Sequence, residues 1–294
     1  MKFWRSTLWT RAEELMELAR SAEELGFYGM ATSDHMVFFE RPLVSRYPYS
    51  ADGKTWWQPS THWPDTWVSI TAMAAVTSRL RFTNAVYILP MRNVFTAAKA
   101  IGTAAVISNN RVTLGVGIGW QREEFDLVGE EFHKRGRRCE EMIEVLRLLW
   151  TGGSVEYHGK FYDFGPLVMS PAPTQSVPIY ISGYSEPALR RAARIGDGWI
   201  LAPLAPDAPY SHADLPRLIQ RVRDLRRQAG RDHLPFEILE PALVSPDVGH
   251  YKRLEDIGVT SASVIFGDPT APPSLSGQRQ LMEDFADAVM SRMS

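Results

Sequence analysis

The chain has 294 residues, 45% of them apolar and 22% charged, with a formal net charge of −2. That balance suits a globular protein with a sizeable core and gives no electrostatic reason to expect nucleic acid or an anionic membrane as a partner. Cys139 is the single cysteine, which excludes an intrachain disulfide framework and a thiolate metal cluster.

The opening MKFWRSTLW reads as a short, polar first strand and lacks the apolar stretch of a secretion signal, so a cytoplasmic location is expected. Thr10-Arg-Ala-Glu13 reads as a capping box ahead of Leu15, Leu18, Ala22 and Leu25 at helical spacing, with Gly26 as the stop. Tyr28 to Ser33 suits a strand. Asp65 caps a helix with Trp67, Ile70, Ala74 and Ala75 on one face, and Leu80 to Ile88 is a strand closed by Pro90. Val94 to Ser108 is predicted as helix, Arg111 to Gly117 as strand, and Gly136 to Trp150 as helix. Then follow the strand Pro178 to Gly183, the helix Glu186 to Ile195, the strand Gly198 to Ala202 and the helix Asp214 to Gln228. Strand Phe236 to Val244, helix Tyr251 to Ile257, strand Ser261 to Phe266 and helix Gln278 to Met293 complete the series.

Strict alternation of strand and helix argues a parallel sheet with helical crossovers. Eight such units over this length favour a single TM-free α/β domain over residues 1–294, a TIM (β/α)8 barrel. An open doubly wound sheet is the alternative, because the count rests on the first and seventh strands. Met36 to Pro64, Thr151 to Val177 and Pro203 to Pro235 exceed ordinary connections. In a barrel, insertions of this kind shape the mouth at the C-terminal face.

Asp34 and His35 stand at the end of the second strand, where a barrel puts its chemistry. Asp34 could orient His35 for proton transfer, or it could merely cap a turn beside an incidental histidine. Thr113-Leu-Gly-Val-Gly-Ile-Gly-Trp120 has G-x-G-x-G spacing and lacks the acidic strand end of a dinucleotide site, so a Rossmann reading fails. Its glycines either admit a flat ligand to the backbone or allow close strand packing. Ile181-Ser-Gly-Tyr-Ser-Glu-Pro187 is a strand–glycine–helix junction whose exposed amides could take a phosphate, or a well-capped helix that binds nothing.

Phe38, Phe39, Tyr47, Tyr49, Trp56, Trp57, Trp63 and Trp67 crowd one insertion, as a pocket wall or as a subunit interface. Glu123 and Glu124 read as the acidic start of a helix, and the basic cluster from Lys134 to Arg138 as a solvated face. No histidine pair has metal-ligand spacing, so no metal is expected. Cys139 has no catalytic partner nearby in sequence and reads as inert.

In order along the chain, several segments resemble the bacterial luciferase-like family, in its coenzyme F420-dependent branch. They are AEELGF through SDH (Ala22 to His35), Trp67 to Phe82, NRVTLGVGIGWQREEF (Asn110 to Phe125), WTGG (Trp150 to Gly153) and Pro178 to Trp199. The resemblance implies an oxidoreductase that transfers hydride between coenzyme F420 and a hydrophobic small-molecule substrate. An FMN-dependent monooxygenase of the same fold, or a non-catalytic flavin or deazaflavin binder, are the alternatives. It further implies a non-prolyl cis peptide on the third strand near Asn84, Ala85 and Val86, with Asn84-Ala85 as the expected bond.

By the same resemblance, Asp34 and His35 lie beside the cofactor ring with His35 moving the proton. Gly117, Gly119 and Trp120 flank that ring, and Gly183, Tyr184 and Ser185 hold the phosphate. Trp120 stands where the sugar-phosphate branch carries an acidic residue, which argues for a more hydrophobic pocket. A homodimer is expected from the same source.

Overall fold

The computed structural model describes residues 1–50, 52–201, 212–267 and 273–293. Eight parallel strands form its centre: Lys2–Ser6, Gly29–Thr32, Arg81–Asn84 continued by Tyr87–Ile88, Val112–Gly117, Ile179–Ser182, Gly198–Ile200, Glu237–Leu243 and Ser261–Ile265. The first strand pairs with both the second and the eighth, and the third with the fourth, so the sheet closes on itself. This is the TIM barrel that the alternation predicts, and the two strands weakest in sequence, the first and the seventh, are both present.

Side-chain alternation along the strands separates two cores. Phe3 points outward to Tyr251 and Phe285, at ring-centroid distances of 5.2 and 5.3 Å, and joins the large core between strands and helices. Trp4 points inward, where it packs with Ala31, Tyr180, Ile200 and Leu239 to fill the barrel. Arg5 then points outward again and is fully buried. It donates to the Ser6 carbonyl, the Thr10 hydroxyl (2.7 Å) and the Gln278 side-chain oxygen, and burial lowers its pKa to about 9. The polarity of the first strand is thus spent on tying the barrel to its last helix, Leu275–Ala288.

That network also overturns the predicted capping box. The Thr10 hydroxyl is engaged by Arg5 and Gln278, and it is Glu14 that reaches back to the Arg11 amide, at 3.3 Å, while Glu13 pairs with the Arg11 side chain. The Asp65 cap forms as predicted: its carboxylate accepts from the amides of Trp67 and Val68, both at 3.0 Å.

Of the three insertions, 36–64 leaves the C-terminal end of the second strand and covers the mouth. The 151–177 segment does not shape the mouth, because it joins the helix Arg135–Leu149 to the fifth strand and therefore starts from the other end. It folds as an antiparallel hairpin, Val155–His158 with Asp163–Leu167, against the outer helices. There Phe164 meets Phe95 edge-on at 5.3 Å and the Tyr157 hydroxyl donates to Glu144 at 2.8 Å. Residues 203–211 of the third insertion, and Ala202 at the predicted strand end, lie outside the described residues; most of the remainder is the helix Leu215–Gln228. No helix of the described residues is long and apolar enough to cross a membrane. Cys139 is buried in the helix Arg135–Leu149, and burial pushes its thiol up to about 12.

Candidate active site

The third strand breaks after Asn84 and resumes at Tyr87, and the peptide bond between Ala85 and Val86 is cis. The sequence places this bond one residue early, at Asn84-Ala85. Local sequence carries no signal for the choice, since the register of the break is fixed by the neighbouring strands. On one side Ala85 donates its amide to the Thr32 carbonyl at 2.6 Å. On the other, the Asn84 carbonyl presses against Gly115, where a Cβ would fall 1.7 Å from that oxygen. A Cβ on Gly117 would meet the Val86 side chain at 2.4 Å. Close strand packing is therefore one purpose of the glycines, and Gly117 and Gly119 also line a cavity.

Two adjoining cavities open at the mouth. The inner one, about 130 Å³, is lined by Asp34, His35, Ala85, Val86, Ile88, Glu124 and surrounding aromatic rings. The outer one, about 480 Å³, runs past Gly117, Gly119 and Trp120 to Gly183, Tyr184 and Ser185. Val86, Ile88, Gly119 and Trp120 line both. The structure thus gathers every predicted site residue except Asn84 onto one continuous surface. Asn84 is fully buried behind it, its amide donating to the Thr32 hydroxyl at 3.0 Å.

His35 sits in an aromatic cage. Its ring centre is 4.5 Å from Trp57, 4.9 Å from Trp63 and 6.1 Å from Trp120. Tyr47 closes the cage, packing edge-on against Trp57 and Trp120. Five of the eight aromatics in this stretch, Tyr47, Tyr49, Trp56, Trp57 and Trp63, line the inner cavity, so this insertion serves as a pocket wall. Phe38 is exposed, and Trp67 packs against Tyr87 instead.

The carboxylate that engages His35 is Glu124, not the adjacent Asp34. His35 Nδ1 lies 3.4 and 3.3 Å from the two Glu124 oxygens, and Glu124 is 2% exposed. Asp34 turns to the third strand: it accepts from the Ile88 amide at 2.8 Å and from Arg92 at 2.7 Å. Burial pushes the Asp34 carboxyl up, opposed by the Arg92 guanidinium and the Ile88 amide. Asp34 thereby locks the second strand to the far side of the break at Ala85–Val86, a positioning role rather than the orientation of His35.

Glu124 and Arg92 escape the sequence reading. Two acids opening a helix have a sufficient explanation in the helix dipole, and only the closure of the barrel brings position 124 back to position 35. The signal available was their place: the helix Arg122–Leu127 begins at the C-terminal end of a strand, on the active face. The basic cluster is likewise not simply solvated. Arg135 donates to the Gly119 carbonyl at 3.0 Å and lines the outer cavity with Arg46, and burial lowers its pKa.

At the far end of that cavity Gly183 has φ +116°, a conformation favouring glycine, and directs the chain into Ser185. The Ser185 hydroxyl caps the helix Glu186–Ile195 by accepting from the Ala188 amide at 3.4 Å. Trp199 fixes the turn from behind, its indole donating to the Gly183 carbonyl at 2.9 Å. The junction presents a helix N-terminus to a cavity that Arg46 and Arg135 also line, a setting that favours an anion. Among the described residues no group of three histidine, cysteine or acidic side chains could hold a metal ion.

The chain is 40% identical over 300 residues to the uncharacterized protein Rv0940c of Mycobacterium tuberculosis, covering all of both chains. It is 30% identical over 246 residues to an F420-dependent glucose-6-phosphate dehydrogenase of Nakamurella multipartita, covering 83% of this chain and 66% of that one. The fold is shared with monooxygenase RslO1 from Streptomyces bottropensis, at TM-score 0.79, 20% identity and full coverage of both chains. Residues 4–248 match the model of the luciferase-like monooxygenases. The chain belongs to the luciferase-like monooxygenase family.

Proposed function

We propose that this protein is an oxidoreductase that transfers hydride between coenzyme F420 and a hydrophobic organic substrate, with His35 carrying the accompanying proton. The observation that carries the reading is the His35–Glu124 pair, 3.3 Å apart, enclosed by tryptophans beside the break in the third strand.

The residues present fit a planar cofactor with a phosphate. Ala85, Val86 and Ile88 offer an apolar floor, and Gly117 and Gly119 leave the adjoining wall without side chains. Gly183, Tyr184 and Ser185 would hold the phosphate, in a cavity that Arg46 and Arg135 also line. When bound, the coenzyme supplies the carbon that gives or accepts the hydride.

The protein's own task is proton handling and exclusion of water. Glu124 engages His35 Nδ1 and so leaves Nε2 as the atom that takes a proton from a substrate hydroxyl or returns one to a carbonyl. Glu124 is 2% exposed, so water does not compete for this contact. Trp57, Trp63 and Trp120 exclude solvent and favour an apolar substrate over a sugar phosphate, with Trp120 standing where the resemblance leads one to expect an acid.

An FMN-dependent monooxygenase is the second reading, because the same floor and phosphate junction suit FMN and the fold is shared with a protein named as a monooxygenase. The two are separated by supplying reduced FMN and following oxygen. Steady, protein-dependent oxygen uptake would favour FMN. Its absence, together with anaerobic reduction of F420 by one of a panel of secondary alcohols, would favour the deazaflavin.

A further inference from the structure

The segment Met36–Ser45 leaves the barrel beside His35 and returns to the cavity wall at Tyr47. Both of its ends are tied to one short helix, Arg122–Leu127. At the first end the Met36 amide donates to Glu124 at 2.7 Å. At the second, the amides of Val44 and Ser45 donate to one oxygen of Glu123 at 2.7 and 3.1 Å, and the Ser45 hydroxyl accepts from the Arg122 amide at 2.9 Å. Along this segment little is buried: Met36 is 44% exposed, Val37 41%, Phe38 37% and Val44 86%. The strap is held by its ends and not by a core of its own.

We infer that Glu123 is a positioning residue for this site, acting through the strap on the aromatic wall. Glu123 is 5% exposed, and its second oxygen has no partner among the described residues. A buried carboxylate needs compensation, and the two strap amides, with the Ser45 side chain, supply it. These bonds hold the carboxyl below its ordinary value despite its burial.

Ser45 stands two residues before Tyr47, whose ring lies 5.4 Å from Trp57, and Trp57 lies 4.5 Å from His35. Glu123 itself lines neither cavity of the candidate site. Releasing the second end of the strap therefore loosens the wall over the substrate. It leaves untouched the His35–Glu124 pair and the Gly183–Ser185 junction. The kinetic consequence rests on the oxidoreductase reading proposed above; the anchoring does not.

The test is amide hydrogen exchange over residues 36–58 in the full-length protein, with Glu123→Ala, Glu123→Gln and Val44→Pro. Losing charge-assisted bonds at the anchor should speed exchange at Ser45 to Tyr47 by about tenfold or more in Glu123→Ala, with the barrel strands unchanged. Glu123→Gln, whose amide oxygen still accepts from both amides, should stay near the native rate. Val44→Pro removes one donor from the strap side without altering the helix, and should reproduce the local loosening even if Glu123→Ala folds poorly. Where F420 turnover is measurable, substrate KM should rise about tenfold with kcat and F420 affinity within about threefold. Native exchange rates in both Glu123→Ala and Val44→Pro, or loosening in Glu123→Gln equal to that in Glu123→Ala, would overturn the inference. A protein without F420 activity would sink the reading of the reaction while leaving the exchange result to decide the anchor.

Discussion

His35 and Glu124 are separated by 89 residues in sequence and meet across the mouth of the barrel, imidazole Nδ1 3.3 Å from carboxylate Oε2. His35 follows the second strand directly and Glu124 sits on the short helix after the fourth, so the third strand with its Ala85–Val86 break lies between their supports. If this pair carries the proton, His35→Ala should lower turnover by ~10²–10⁴-fold while F420 affinity holds. Glu124→Gln keeps an acceptor for the Met36 amide and should cost less, about 10–100-fold. Steady-state kinetics beside a fluorescence titration checks both. Native turnover in His35→Ala would remove it from the chemistry.

Asp34 and Arg92 make a distinct, structural prediction. Their bond of 2.7 Å is mostly buried, and Asp34→Ala would strand the guanidinium and the Ile88 amide together. Breaking a buried pair from one side costs about 3–5 kcal/mol. Chemical denaturation should show a loss of that order, with F420 binding weakened as well because Ile88 is part of the cavity floor. A loss under ~1 kcal/mol would mean that the pair is solvated in practice.

Gly115 should tolerate no side chain. An alanine Cβ would overlap the Asn84 carbonyl, a backbone group that cannot swing away. Gly115→Ala is expected to cost upwards of ~3 kcal/mol or to prevent folding. Gly165→Ala, in the outer hairpin with nothing within 4 Å of the new atom, should stay within ~0.5 kcal/mol of the native protein.

Acid should weaken the seam of the barrel. Glu237 on the seventh strand accepts from Lys2 and from the Thr260 hydroxyl, both at 2.6 Å, which ties the first, seventh and eighth strands together. Burial raises the Glu237 carboxyl, but these partners outweigh it and hold it below its ordinary value of 4.5. The folded state therefore binds this proton less readily than the unfolded chain. The stabilisation is present above pH 4.5 and is lost as pH falls through the lower, folded value. Thermal melts across this range should show a shallower acid limb in Glu237→Gln; an identical limb would place the acid sensitivity elsewhere.

The fold was legible because each strand–helix unit announces itself locally, through apolar periodicity and punctuation such as Asp65 and Gly196. Position within the barrel then marked Asp34, His35 and Gly183 to Ser185. What local pattern could not supply was pairing across the ring. Asp34 adjoins His35 in sequence, yet the two leave the strand on different sides, one to Arg92 and one to Glu124. The same blindness moved the cis bond by one residue, because Gly115 and Thr32 on neighbouring strands set its register. It also put the 151–177 hairpin at the mouth, since length alone does not tell which end of the barrel an insertion leaves.

The central claim is the identity of the cofactor, and parallel titration of the purified protein with coenzyme F420 and with FMN tests it most directly. The account predicts tight binding of F420 in preference to FMN, weakened when Arg135, which lines the same cavity as Gly183–Ser185, is changed to alanine. Preference for FMN, or binding of neither, would contradict it.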